Sequence, residues 1–243
     1  MLLSTITPIA QDNYVAFTFF IGTMAMMAAS VFFFFELNNV PQKWRTSVLV
    51  SGLITFIAAV HYYYMRSYNL ETGESPTFFR YVDWILTVPL MCVEFYLITK
   101  KAGAKASLLW KLIFASVVML ITGYFGETMD RAHSVLWGVI SGAAYFYIAY
   151  LIWFGEVASL AQTAGPSVAK ATRILAWFVL VGWAIYPLGY ILGTPGGLFG
   201  MTFVSDPKDA AVAMDIVYNI ADAINKIGFG LVIYTLAKSD SND

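Results

Sequence analysis

Two short stretches carry charge where the surrounding chain is almost wholly apolar. In DAINKIGFG, residues 222–230, Asp222 and Lys226 stand four apart. In RYVDWILTVPLMCVEFYLI, residues 80–98, Arg80, Asp83, Thr87 and Glu94 follow one another at offsets of 3, 4 and 7. A charge at the centre of a membrane helix costs at least about 2.5–3.5 kcal/mol, which makes function the first reading for Arg80, Asp83, Glu94, Asp222 and Lys226. Asp222 and Lys226 share one helical face. They are either a mutually neutralising structural pair or a lysine with a dedicated counterion. A buried ion pair is weak evidence of stability, because desolvation can exceed the attraction, and the second reading is preferred. A lysine in an apolar pocket can act as a nucleophile and condense with a carbonyl compound to a Schiff base. Asp83 and Glu94, about 16 Å apart along a helix and near three whole turns, face one interior at different depths. Two carboxylates so placed suit a proton relay. The alternative, acids at helix ends reaching for water, fits Glu94 better than Asp83.

The elements that must position these groups follow from hydropathy. The chain has 243 residues, 59% hydrophobic and only 12% charged, with a mean hydropathy of +0.70; soluble domains carry about 25% charged residues. Seven apolar stretches approach the roughly 20 residues that cross a bilayer: Tyr14–Leu37, Trp44–Ser67, Phe78–Thr99, Leu108–Phe125, Ser134–Phe154, Thr172–Leu192 and Ala210–Ala237. The breaks between them are short and polar, so the expected fold is an all-α membrane protein, a single seven-transmembrane-helix bundle over residues 1–243. Basic residues gather in the loops after the first, third and fifth stretches and at the C-terminus, including Lys43, Lys100, Lys101, Lys170 and Lys238. The opposite side holds Arg66, Arg131 and Lys208. The positive-inside rule then puts the N-terminus outside and the C-terminus in the cytoplasm. The N-terminus shows no signal-peptide pattern. Balanced charge, with Lys+Arg 14 against Asp+Glu 15, gives no reason to expect a nucleic-acid partner. Cys92 is the single cysteine, so an intrachain disulfide is excluded, and no metal-ligating cluster or nucleophile–base pair is visible.

With GWAIYPLGY (182–190), HYYYMR (61–66) and ETGESPTFFRY (71–81), the two charged stretches resemble the microbial rhodopsins, the proteorhodopsin group in particular. That resemblance runs through all seven spans. It implies all-trans retinal bound to Lys226 as a protonated Schiff base, in a plasma-membrane protein that moves protons rather than in an enzyme. By the same resemblance Asp83 matches the primary counterion and proton acceptor, Asp222 the second counterion, Arg80 the outward gating arginine and Glu94 the cytoplasmic proton donor. Thr87 matches the hydroxyl between acceptor and donor. Trp84, Trp183, Tyr186 and Pro187 match the walls around the polyene, Tyr145 is an aromatic suited to the same ligand, and Met119 and Gly123 match positions near its ring. Tyr62 is expected to join Arg80 and Asp222 in the extracellular network, and His61 to hydrogen-bond the acceptor Asp83. Gly138 falls where members that bind a carotenoid antenna have glycine; helix packing with Gly142 on one small-residue face is the competing reading. Glu127, Asp206, Asp209 and Asp215 lie on the outer side and read as solvated surface acids, leaving no release group assigned. Family resemblance also suggests a homo-oligomer, pentamer or hexamer.

Light-driven outward proton pumping is therefore the expected function, and a phototaxis sensor of the same fold is the runner-up. Sensors commonly lack a carboxylate donor, which Glu94 supplies; chloride pumps lack an acceptor carboxylate, which Asp83 supplies; and sodium pumps carry Asn, Asp and Gln where this chain has Asp83, Thr87 and Glu94. Met91, expected near the face of Asp83, matches the position that tunes colour in proteorhodopsins, where an apolar residue goes with green absorption and a glutamine with blue. Excitation moves positive charge away from the Schiff base, so a polar amide near that end stabilises the ground state, whereas methionine is polarizable and offers no comparable dipole. Green absorption is expected, and Met91→Gln should move the absorption maximum to the blue with the pigment still assembled. A red shift, or none, would leave Met91 as packing alone.

Overall fold

A computed structural model of the chain describes residues 9–10, 12–188 and 206–239. In lipid every backbone N–H and C=O must find a partner within the protein, which leaves helices as the way for these apolar stretches to cross. The helices are α1 (Tyr14–Glu36), α2 (Arg45–Thr72), α3 (Thr77–Thr99), α4 (Ala106–Tyr124), α5 (Ser134–Trp153), α6 (Glu156–Thr163), α7 (Pro166–Trp177) and α8 (Pro207–Ser239). Among the described residues seven helical segments are long and apolar enough to cross a membrane. α4 and α7 each run on into a single wide turn, Phe125–Met129 and Phe178–Gly182.

Local chemistry sets several ends. The Asn13 side chain accepts from the Ala16 N–H at 2.9 Å and caps α1. Gly73 closes α2 at φ 72, a left-handed conformation that glycine adopts without strain, and its N–H reaches the Asn69 carbonyl. The helices outrun the apolar stretches where the chain meets the interface. α2 continues through Ser67–Thr72, and the segment expected to be a loop before the sixth span holds the end of α6 and the start of α7. Hydropathy marks the bilayer core, whereas a helix persists into polar surroundings until a cap or a proline stops it. The expected end of the sixth span, at Leu192, lies outside the described residues.

Successive helices pack as neighbours, and α8 closes the bundle against α1, α2 and α7. In the most apolar windows of the second, third and seventh spans 56% of residues are buried, against 28% in the fourth and fifth. The charged helices α3 and α8 are thus central. Large apolar side chains such as Phe35, Phe114, Phe146 and Phe154 face outward, as a lipid-facing surface requires.

α8 approaches α1 so closely that a Cβ on Gly230 would stand 2.5 Å from the Phe33 ring and 3.2 Å from Ser51 Cβ. A Cβ on Gly142 would meet nothing within 4 Å. Gly230→Ala should therefore lower the thermal midpoint of the detergent-solubilised protein, the overpacking costing about 1–3 kcal/mol. Gly142→Ala should leave that midpoint in place; equal effects would mean that α8 can shift without strain.

Candidate functional site

α8 and α3 face one another across the middle of the bundle, and the site is assembled by side chains that reach between them. One turn of α8 separates Asp222 from Lys226, and both side chains point inward with 2% exposure, while Asp83 on α3 is fully buried. Lys226 Nζ donates to Asp83 Oδ2 and, at 2.6 Å, to Asp222 Oδ2. The other oxygen of Asp222 accepts from the Tyr186 hydroxyl at 3.0 Å. Tyr218 donates to the Tyr186 carbonyl at 2.8 Å, which ties α8 to the sixth span at this level. The three charges expected from the sequence to meet do meet, as one ammonium between two carboxylates.

Glu94 lies further along α3, fully buried, and accepts from the Ser51 hydroxyl of α2 at 3.1 Å; its Oε2 has no partner among the described residues. It does not reach for water at the helix end. Thr87, fully buried between the two acids, donates its hydroxyl to the Asp83 backbone carbonyl at 2.9 Å and not to either carboxylate.

Four expectations are corrected. His61 Nδ1 lies 2.9 Å from the Ile57 carbonyl and 3.7 Å from Asp83 Oδ1. A carbonyl only accepts, so Nδ1 carries the proton and spends it one turn back along α2. The expected hydrogen bond to Asp83 is not formed, because 3.7 Å is too long for one. Arg80, 1% exposed, makes its ion pair with Asp215 at 2.8 Å and donates to Asn219 Oδ1 at 3.0 Å; among the described residues no ion pair joins it to Asp222 or Asp83. Tyr62 correspondingly donates to the Tyr218 carbonyl, at 3.5 Å, and not to Asp222. Of the acids read as solvated, Asp206 and Asp209 are exposed, but Asp215 is 3% exposed and also accepts from Ser75 Oγ at 2.7 Å. Glu127 is half-buried and accepts from the Tyr81 hydroxyl at 2.7 Å.

Beside the charged cluster runs a cavity of 510 Å³, within the usual size of small-molecule sites, lined by Trp84, Met119, Gly123, Gly138, Tyr145, Trp183, Tyr186 and Pro187 among others. Trp84, Trp183, Tyr186 and Pro187 are the walls, and Met119 and Gly123 the ring-end positions, that the resemblance implies. Tyr186 belongs to both cavity and cluster, so the cavity adjoins the Lys226 group. A Cβ on Gly123 would lie 3.2 Å from the Tyr81 hydroxyl, close enough that the tyrosine would have to shift. Tyr145 donates to the Leu180 carbonyl at 2.7 Å, meeting the wide turn Phe178–Gly182. The largely apolar walls, with aromatic rings among them, and the adjoining amine fit a long conjugated aldehyde such as retinal. Met91 is 2% exposed in the core and is not one of the lining residues. Eight residues beyond Asp83 it stands about 80° past two whole turns, not on the same face. Gly138 and Gly142 both line the cavity, and the space beside Gly142 argues against a tight helix seam there.

Ser51 and Asn219 were not singled out by sequence reasoning, and Asp215 was read as a surface acid. Asp215 had a signal: seven residues before Asp222, it lies on the same face of α8. Ser51 and Asn219 had none, being ordinary polar residues until another helix is beside them.

A family profile described as bacteriorhodopsin-like protein matches residues 13–239. The chain is 42% identical to a green-light absorbing proteorhodopsin of Gamma-proteobacterium EBAC31A08 over 233 residues, 96% of this chain and 90% of that one. The crystal structure of blue light-absorbing proteorhodopsin from Med12 superposes with a TM-score of 0.77 at 42% identity, covering 93% of this chain and 99% of that chain. The crystallographic structure of xanthorhodopsin, a light-driven ion pump with dual chromophore, gives a TM-score of 0.81 at 30% identity, with 96% of each chain covered.

The charge arithmetic at Lys226 can be checked without any ligand. Lys226→Met leaves Asp83 and Asp222 facing each other without their cation and should cost about 3–5 kcal/mol, as breaking a buried pair does. Asp222→Asn leaves a one-to-one pair and should cost about 1–3 kcal/mol for the weakened hydrogen bonding. Thermal unfolding of the retinal-free protein should rank them in that order, and the reverse order would mean that the lysine is not the cation the two carboxylates require.

Proposed function

This chain belongs to the bacteriorhodopsin-like protein family, and on that premise we propose that it is a light-driven outward proton pump of the proteorhodopsin type. The observation that carries this reading is Lys226 held between Asp83 and Asp222, with a third buried carboxyl, Glu94, displaced along α3. The loop charges set the direction: the Arg80 end of the bundle faces outward and the Glu94 end faces the cytoplasm. The protein is a multi-pass protein of the plasma membrane.

All-trans retinal, joined to Lys226 Nζ, supplies the absorption of visible light and the change of shape that alters how tightly that nitrogen holds its proton. Asp83 Oδ2 already receives the Lys226 hydrogen bond and is the acceptor, so the first transfer needs no diffusion. Asp222, steadied by Tyr186, remains the fixed counter-charge. Glu94 delivers the replacement proton from the other side, with Ser51 orienting its carboxyl. Trp84, Trp183, Tyr186 and Pro187 hold the chromophore and exclude water from it, and Met119 and Gly123 bound its far end. His61 acts on Asp83 as a neighbouring imidazole rather than as a hydrogen-bond partner, and Tyr62 braces the Tyr218 backbone. Methionine at position 91 supports green absorption through the absence of a side-chain dipole, which acts through its field and needs no contact. Open space at Gly142 beside Gly138 supports a place for a carotenoid antenna against the cavity. The exposed apolar faces suit lipid and a homo-oligomer, for which pentamer or hexamer is the proposed size.

Illuminating unbuffered cells that express the protein with retinal should acidify the medium, and a protonophore should abolish the change. No pH change would favour the sensory reading. Glu94→Gln should slow the return of the dark absorption after a flash by about a hundredfold, the scale of a lost proton-transfer group, and azide should restore it. An unchanged return at neutral pH would remove Glu94 from the donor role.

A further inference from the structure

Arg80 and Asp83 lie three residues apart on α3, yet their charges belong to different layers of the bundle. The guanidinium is turned to the loop end, where Nη1 meets Asp215 and Nη2 meets Asn219, and Asn219 in turn donates to Thr18 Oγ1 at 3.0 Å. Ser75, in the turn ahead of α3, donates to the same Asp215 oxygen. On its other side the guanidinium stands over the Tyr218 and Phe19 rings, 5.1 and 5.7 Å from their centroids. Tyr62 packs edge-on against Phe19 at 5.5 Å. An aromatic layer thus stands between Arg80 and the Lys226 cluster.

This division leaves the cluster with one ammonium and two carboxylates, a formal excess of one negative charge. The ionisable groups around Asp83 are Lys226 and Asp222 from α8, His61 and Tyr62 from α2, Tyr186 from the sixth span and Arg80 from its own helix. Those around Asp215 are Arg80 and, across the outer end of the bundle, Glu127. Among the described residues Arg80 is the buried cation besides Lys226, and Asp215 holds it elsewhere.

We propose that Asp215 is a positioning residue that keeps the Arg80 charge on the outer side of the Phe19–Tyr62–Tyr218 layer and thereby sets the pH at which Asp83 takes up a proton. The proposal rests on the pump reading above for the identity of the acceptor, and it goes beyond that reading in giving Asp215 control over it. Removing the Asp215 charge releases Arg80 to act on the Asp83–Asp222 pair. A nearby cation favours the ionised carboxylate, so protonation of Asp83 then requires a more acidic solution.

The test is a titration of visible absorption against pH in the retinal-loaded protein, where protonation of Asp83 is read as a colour change. Asp215→Asn should move the midpoint down by about one pH unit or more, the effect of a cation brought within about 4–6 Å of a carboxylate. Loss of the Asp215 charge also acts directly through space, so the decisive comparison is made in an Arg80→Gln background. There Asp215→Asn should move the midpoint little, because the cation it releases is gone. An equal shift in both backgrounds, or no shift in either, overturns the proposal. Asp215→Glu keeps the charge and should restore a midpoint near the parent's. If neutral variants at 215 assemble no pigment while Asp215→Glu does, the residue is a structural counter-charge alone and the proposal falls. Infrared spectra of the retinal-free protein with ¹³C-labelled aspartate give an independent readout: Asp215→Asn should remove one ionised-carboxylate band, and retention of every such band would overturn the ion pair on which the argument stands. A parent protein that forms no pigment would instead count against the pump reading.

Discussion

An ammonium group in a water-poor helical bundle needs anions within hydrogen-bonding reach, because the medium around it does little to screen or solvate its charge. Lys226 meets that need with Asp83 from α3 and Asp222 from its own helix. The demand governs the rest of the site. α3 and α8 must face each other across the centre, the sixth span must bring Tyr186 to Asp222, and the more peripheral α4 and α5 are free to leave a cavity whose walls begin at the same tyrosine. A nitrogen held by two carboxylates is also poised for proton exchange: one acceptor is in contact, and the second keeps charge in balance when the first is protonated.

The electrostatics of the interior fall into three levels that scarcely touch. At the loop end Arg80 is neutralised by Asp215, with Ser75 and Asn219 completing the hydrogen bonds. The Lys226 cluster occupies the middle. Beyond it Glu94 has a serine hydroxyl and no cation in reach among the described residues. Aromatic side chains separate the first two levels, and apolar core residues of α3, including Met91, Cys92 and Phe95, surround the approach to the third. Directional transport needs such separation, since a continuous polar chain would let protons pass in either direction without light. The separation is a property of packing: Phe19, Tyr62 and Tyr218 come from three helices.

Much of this is legible in the sequence alone. Seven spans follow from the length of the apolar stretches, because lipid leaves the backbone no other partner than itself. The facing of Asp222 with Lys226, and of Asp83 with Glu94, follows from the 3.6-residue period, which operates within one helix and needs no knowledge of its neighbours. Resemblance of the ordered motifs then supplied roles that periodicity could not.

What the tertiary structure decided lies between helices. Arg80 could have turned to Asp222, and the His61 imidazole could have reached Asp83. Each took another partner because the depth and rotation of α2, α3 and α8 put Asp215 and the Ile57 carbonyl nearer. Asp215 looked like a surface acid because its position near the start of α8 says nothing of what the turn around Ser75 covers. The cavity likewise arises where α4, α5 and the sixth span fail to close on one another, and no single stretch contains that gap. A helix's own sequence determines which residues share a face; which side chain waits opposite is determined by the packing of all seven spans at once.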